Sequence, residues 1–169
     1  HGGAAPNIIP EFAAATFYVR SLNIPYMWEL QKRVIACAEG AAKSTGCTLK
    51  VVEQSDTAYE PMKRNATLLD TFRANLKTFG VTESPEIRDR LGSSDIGNVS
   101  QVIPAIQPMV KIAPDGTPIH SRAFEAAAKS ALAREGMLIS AKTMAMTALD
   151  LLADPALVKR AQAEFKEKK

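Results

Sequence analysis

Glu11-Phe12-Ala13-Ala14-Ala15-Thr16-Phe17-Tyr18-Val19-Arg20, entered through Asn7-Ile8-Ile9-Pro10, is the stretch on which the fold class turns. Its aromatic and β-branched residues favour an extended strand, and the proline bend fixes where that strand begins. A charge, Arg20, closes it. Asn23 and Pro25 then start a helix in which Met27, Leu30, Val34, Ala38 and Ala41 recur at helical spacing until Gly46 stops the run. Thr48-Leu49-Lys50-Val51-Val52-Glu53 alternates as a second strand. Strand, helix, strand over residues 1 to about 60 packs its helix on one face of a sheet. The expected class is therefore α/β.

Tyr59-Glu60-Pro61-Met62 breaks the pattern, and Asn65 caps a further helix with an apolar stripe of Leu68, Leu69, Phe72, Leu76 and Phe79, closed by Gly80. The domain boundary is placed here, with residues 1–60 as one unit and 61–169 as the other. Ser84 to Arg90 reads as a short helix or turn. Gly92-Ser93-Ser94-Asp95-Ile96-Gly97-Asn98-Val99-Ser100 reads as a glycine- and hydroxyl-rich loop, followed by an extended, proline-interrupted segment from Val102 to Ile112. From Ser121 onward the chain reads as mostly helical, and Asp154-Pro155 begins a last amphipathic helix.

A length of 169 residues with 46% hydrophobic composition is enough for one domain or two small ones. Lys and Arg total 21 against 18 Asp and Glu, and the surplus lies largely in Lys166-Glu167-Lys168-Lys169. No broad basic face follows, which argues against nucleic acid as a partner. No apolar run is read as long enough for the roughly 20 residues that cross a bilayer, and no charged-then-apolar leader opens the sequence. The expectation is a cytoplasmic protein with no membrane partner. Cys37 and Cys47 suit neither a disulfide framework nor a metal knuckle and read as reduced thiols. The opening His1-Gly2-Gly3, without an initiator methionine, reads as an interior portion of a longer chain, and His1 reads equally well as a cloning remnant.

Few residues carry chemistry. His120, in Pro118-Ile119-His120-Ser121, is the sharpest, because imidazole is the commonest metal ligand and titrates near neutral pH; the alternative is a capping or satisfied polar residue at a loop–helix junction. Asp95 beside Ser94 could orient a ligand, or simply form an Asx-turn. Asn7 and Arg20 form a second pair, an amide and a guanidinium fork suited to a carboxylate, although one carboxylate reaches both only if the chain bends between them. Met137, Met144 and Met146 lie near helical spacing and read as core.

Taken together and in order, the Gly2–Pro10 segment ending in Tyr18-Val19-Arg20, the Gly92–Ser100 segment, Ile119-His120-Ser121 and Ala145-Met146-Thr147-Ala148-Leu149-Asp150 resemble peptidase family M-twenty, the metal-dependent amidohydrolases. The branches most similar are the p-aminobenzoyl-glutamate hydrolase, aminoacylase and dipeptidase-like ones. The resemblance implies that residues 1–60 are the second half of an α/β-sandwich lid, or dimerisation, domain. Residues 61–169 would be the carboxy-terminal part of a zinc-peptidase-like α/β catalytic domain. It implies His120 as a metal ligand, Asn7 and Arg20 as substrate-binding residues, and Ser94 and Asp95 as a supporting loop, with no catalytic acid or base in this stretch. Zn2+, two ions per active site, is the implied cofactor, with an incomplete ligand set here. The implied function is a portion of a metal-dependent amidohydrolase, inactive by itself, acting on small N-acyl or aroyl amino acids or dipeptides that bear a free carboxylate, and homodimeric through the lid. The competing reading is a non-catalytic truncated paralogue acting as a dimerisation or ligand-binding module.

Overall fold

The computed structural model describes residues 1–53, 58–81, 83–84 and 94–167. The chain divides into two units, His1–Pro61 and Met62–Lys169. The α/β expectation is overturned: 54% of the described residues are helical, and among them there is no strand or sheet. Residues 11–20 and 48–53 carry no helix or strand. Strand propensity is a preference for a pleated, half-buried surface, and it is realised only where neighbouring strands supply ladder bonds and cover. Here Phe12, Phe17, Tyr18 and Val52 remain exposed.

In the first unit, the helix forms where the punctuation puts it. α1, Ile24–Thr45, begins at Asn23, whose side chain accepts the Tyr26 N–H at 2.9 Å, and it ends at Gly46, which adopts the left-handed conformation (φ 72°). Pro25 fits the first turn because its missing N–H is not needed there. Met27 is the buried residue of this helix.

The second unit is a helical layer. α2 (Ala66–Lys77), α3 (Ile96–Val102), α4 (Arg122–Ala127), α5 (Ala131–Ala153) and α6 (Pro155–Glu167) follow in order, and α2, α5 and α6 pack on one another. Its firmest joint is polar. The buried Asn65 accepts the Leu68 N–H at 3.0 Å to cap α2 and donates to the Ala161 carbonyl of α6 at 2.9 Å. Glu164 of α6 accepts from the Ala66 and Thr67 N–H groups at 2.7 and 2.9 Å, putting a carboxylate on the positive end of α2. Lys63 donates to the Phe165 carbonyl at 2.6 Å and lies 3.9 Å from the centre of the Phe165 ring.

α5 turns an unusual side inward. Its buried residues are Ala133, Gly136, Thr143 and Thr147, all small. Each threonine hydroxyl donates to a carbonyl one turn back, Ile139 and Thr143 respectively, at 2.8 Å, so burial leaves no hydroxyl proton unpaired. Across the joint, the Asn75 amide of α2 donates to Asp150 at 2.7 Å and to Thr147 at 3.2 Å. Met137 and Met144, expected in the core, are instead 59% and 64% exposed. The reason is spatial: the neighbours of α5 come too close for a methionine. A Cβ added at Gly136 would lie 2.5 Å from the Lys111 carbonyl oxygen.

That contact makes a prediction of sign. Helix propensity alone makes Gly136→Ala stabilising by about 1 kcal/mol. Because the obstacle is backbone, we expect net destabilisation of about 1–2 kcal/mol, read as a lower urea midpoint. A raised midpoint would refute the close approach.

From Ser121 onward the described chain is mostly helical, with a short break between α4 and α5. One other expectation changes. The reading that no apolar stretch is long enough to cross a bilayer fails for α5, which passes that test by length and composition alone. Ser84 to Arg90, apart from Ser84 itself, lies outside the described residues, as do Gly92 and Ser93.

Candidate functional site

The segment after α3 organises the second unit's candidate residues. Residues 103–112 carry no regular secondary structure apart from Ala105, which forms an isolated parallel bridge with Arg64. Just before this segment, Ser100 is fully buried; its hydroxyl accepts the Lys63 N–H at 2.8 Å and donates to the Gly97 carbonyl at 2.5 Å. The motif read as a loop is therefore half helix, since Ile96 to Ser100 belong to α3. Ser and Asn in that stretch suggested a turn, whereas the buried Ser100 is satisfied within the helix and by Lys63.

Ser94 and Asp95 are brought together at the start of α3. The Ser94 hydroxyl donates to Asp95 Oδ1 at 3.3 Å and accepts the Ile96 N–H at 3.3 Å and the Gln107 amide at 3.2 Å. Asp95 occupies the cap position of α3 without a side-chain capping bond, and it is exposed. Ser94 is thus the structural centre of this pair and Asp95 its solvent-facing member.

His120 stands on a built corner. Pro114 accepts from both the N–H and the hydroxyl of Thr117, at 3.2 and 2.8 Å. Ser121 donates to the Pro118 carbonyl at 2.6 Å and caps α4 by accepting the Phe124 N–H at 3.2 Å. Between them His120 is held at φ 59°, the one left-handed non-glycine among the described residues, and its side chain is exposed. Left-handed backbone costs a non-glycine residue of order 1 kcal/mol, and such positions cluster at functional sites.

An open cavity of about 660 Å³ lies at this corner, lined by Met109, Ile119, His120, Arg122, Phe124 and Glu125 together with Ser121. Imidazole, guanidinium and carboxylate thus border an otherwise apolar hollow. Neither Ser94 nor Asp95 lines the cavity itself. Sequence reading missed Arg122 and Glu125, although their spacing of three on a helix puts them on one side of α4.

The zinc expectation can be tested against these residues. Among the described residues no group of three or more His, Cys, Asp or Glu side chains is placed to hold a metal ion. His120 shares its cavity with a single carboxylate, Glu125. These residues do not by themselves fit a metal centre.

Asn7 and Arg20, expected from the sequence to bind substrate, lie in the first unit. The N–H of Ala14 donates to the His1 carbonyl at 2.9 Å, and the His1 amino group donates to the Ala14 carbonyl at 2.8 Å, closing a loop that carries the exposed Asn7. Arg20 lies beyond that loop with its guanidinium 5.7 Å from the Tyr18 ring centre, a cation–π arrangement.

No protein-family model matches the chain. It is 35% identical over 169 residues to a protein of Mus musculus named Xaa-Arg dipeptidase, an alignment covering 98% of this chain and 39% of that protein. The Homo sapiens Xaa-Arg dipeptidase is 32% identical over 171 residues, with 99% and 39% covered. A p-aminobenzoyl-glutamate hydrolase polypeptide of Escherichia coli is 35% identical over 75 residues, covering 44% of this chain and 16% of that polypeptide. The chain spans about two fifths of the length of the dipeptidases it matches.

Proposed function

We propose, from the premise that this chain is a homologue of the M-twenty-like amidohydrolases, that it is the carboxy-terminal share of a hydrolase that cleaves the amide bond of dipeptides or N-acyl or aroyl amino acids carrying a free carboxylate. One observation carries the reading: the similarity to two dipeptidases extends over 98% and 99% of the chain. The names of the dipeptidases and of the aminobenzoyl-glutamate hydrolase have one chemical element in common, an acyl group joined by an amide to an amino acid with a terminal carboxylate. That is the substrate class assigned here.

In this reading Arg20 holds the terminal carboxylate, because a guanidinium presents two parallel N–H donors to its two oxygens, and Asn7 contributes a neutral donor. Within the second unit, His120 supplies an imidazole at the edge of the apolar cavity. Ser94 and Asp95 support the neighbouring segment through Gln107. A zinc pair belongs to the reading only if its remaining ligands come from sequence outside these residues. Homodimerisation through the first unit belongs to it on the same terms.

The assay is direct. The full polypeptide encoded with these residues is offered dipeptides ending in arginine, N-aroyl glutamate, and the same compounds amidated at the terminal carboxylate. Hydrolysis of the acids and not the amides is expected. Arg20→Ala should raise KM for the acids about tenfold, the loss of one charge-assisted contact, while leaving the residual turnover of the amides unchanged. Equal wild-type turnover of the acids and their amidated forms would refute the carboxylate anchor, and cleavage of none of the compounds would refute the hydrolase.

A further inference from the structure

Gly136, in the second turn of α5, is buried, and what lies against it is the segment that leads to His120. A Cβ at this position would meet the Lys111 carbonyl oxygen at 2.5 Å and the Ile112 Cγ2 at 3.2 Å, so the backbone of residue 111 rests directly on the helix. Glycine serves here by its lack of a side chain, which lets another backbone approach.

From Lys111 to His120 the chain is braced at short intervals. The Lys111 ammonium pairs with Asp115 at 2.8 Å, Thr117 donates twice to the Pro114 carbonyl, and Ser121 donates to that of Pro118. The hydrogen bonds at Pro114 and Pro118 carry more of this bracing than the Lys111 pair, which is exposed. Gly116, left-handed at φ 80°, turns the loop, and Ala113 within it is buried. Bonds spanning three or four residues stiffen the loop internally and leave its placement to what it rests on. At its start that is Gly136, and at its end it is α4, which Ser121 caps.

We infer that Gly136 is a positioning residue for His120: the close approach it permits sets where the loop from Lys111 to Ser121 sits, and with it the imidazole. The inference rests on the proposed function in one respect, that His120 belongs to the site. Alanine at 136 would push the Lys111 carbonyl outward by at least about 0.5 Å, since a Cβ does not approach another atom more closely than about 3.0 Å. A braced loop transmits that shift instead of absorbing it. Functional groups have to be held within about 0.5 Å of their working geometry, so the shift is large enough to be read in the kinetics.

The test is a double-mutant cycle in the full polypeptide encoded with these residues, at a temperature where every variant is folded. Gly136→Ala is expected to lower kcat/KM at least about fivefold in the wild-type background and less than about twofold in the His120→Ala background. A residue that acts through the imidazole loses its effect once the imidazole is gone. Equal losses in both backgrounds, or no loss in an active enzyme, would overturn the inference. A second readout needs no catalysis. Histidines are isotopically labelled at Cε1, and the His120 resonance is assigned by its absence in His120→Ala. It should move by more than its linewidth in Gly136→Ala and stay in place in Asn65→Ser, a control that weakens the α2–α6 joint instead. A stationary resonance in Gly136→Ala, or an equal movement in Asn65→Ser, would also overturn the inference. If Gly136→Ala does not fold, Ile112→Ala loosens the same seat from the loop side and replaces it in both measurements. A wild type that cleaves none of the compounds would remove the proposed function alone, and the resonance would still decide the seat; a stationary resonance in an active enzyme would remove this inference alone.

Discussion

His120→Ala in the full polypeptide is expected to lower kcat/KM for a carboxylate-bearing dipeptide by about tenfold or more, the scale of losing one polar contact to the substrate. His120 carries left-handed backbone at φ 59°, a conformation that glycine adopts without cost. Its exposure at such a corner, beside a cavity, is the observation on which its proposed role rests. His120→Gly separates the two contributions: it should lose activity as alanine does while raising stability by about 0.5–1 kcal/mol, since the strain is relieved. Measured side by side, urea midpoint and kcat/KM should move in opposite directions. Retention of activity within about threefold in both variants would remove His120 from the site.

Asn65→Ala is expected to cost the second unit about 2–4 kcal/mol. The side chain is 2% exposed and does two separate things, capping α2 through Leu68 and bonding the Ala161 carbonyl of α6. Loss of an N-cap costs about 1 kcal/mol, and leaving buried partners without their bonds adds about 1–3 kcal/mol. Asn65→Ser keeps a capping oxygen but cannot reach α6, so it should recover about 1 kcal/mol of the loss. Asn65→Asp keeps the cap while turning a carboxylate oxygen toward the Ala161 carbonyl, and should be no better than serine. Equilibrium urea unfolding ranks the three. If alanine fell within about 0.5 kcal/mol of wild type, the size of a typical surface change, the Asn65 joint would not be what fastens α2 to α6.

The local signals that survived share a physical basis. Asn23 and Pro25 before α1, Gly46 after it, Asn65 before α2 and Asp154-Pro155 before α6 are all features of helix ends, where a single side chain or a single φ decides the outcome without help from distant residues. His120 was also legible, as an isolated imidazole next to a serine cap, although its left-handed backbone and the cavity beside it were not. Arg122, Glu125 and Met109 became members of that site only when α4 and the 103–112 segment were placed around one hollow. The resemblance to the amidohydrolases was carried by short motifs in order, and the similarity to the dipeptidases runs along the same stretches of chain.

By itself, then, the sequence determined where helices begin and end and which protein family it resembles, because caps, prolines and motif order are properties of neighbouring residues. The tertiary structure alone decided two things. One is that Phe17-Tyr18-Val19 and Val51-Val52 form no sheet, since a strand exists only with a partner whose backbone bonds it. The other is which side of α5 faces inward. Both sides of that helix are apolar enough to be buried, and the choice fell to the side whose small residues let the Lys111 carbonyl and α2 come close, leaving its methionines and leucines outside.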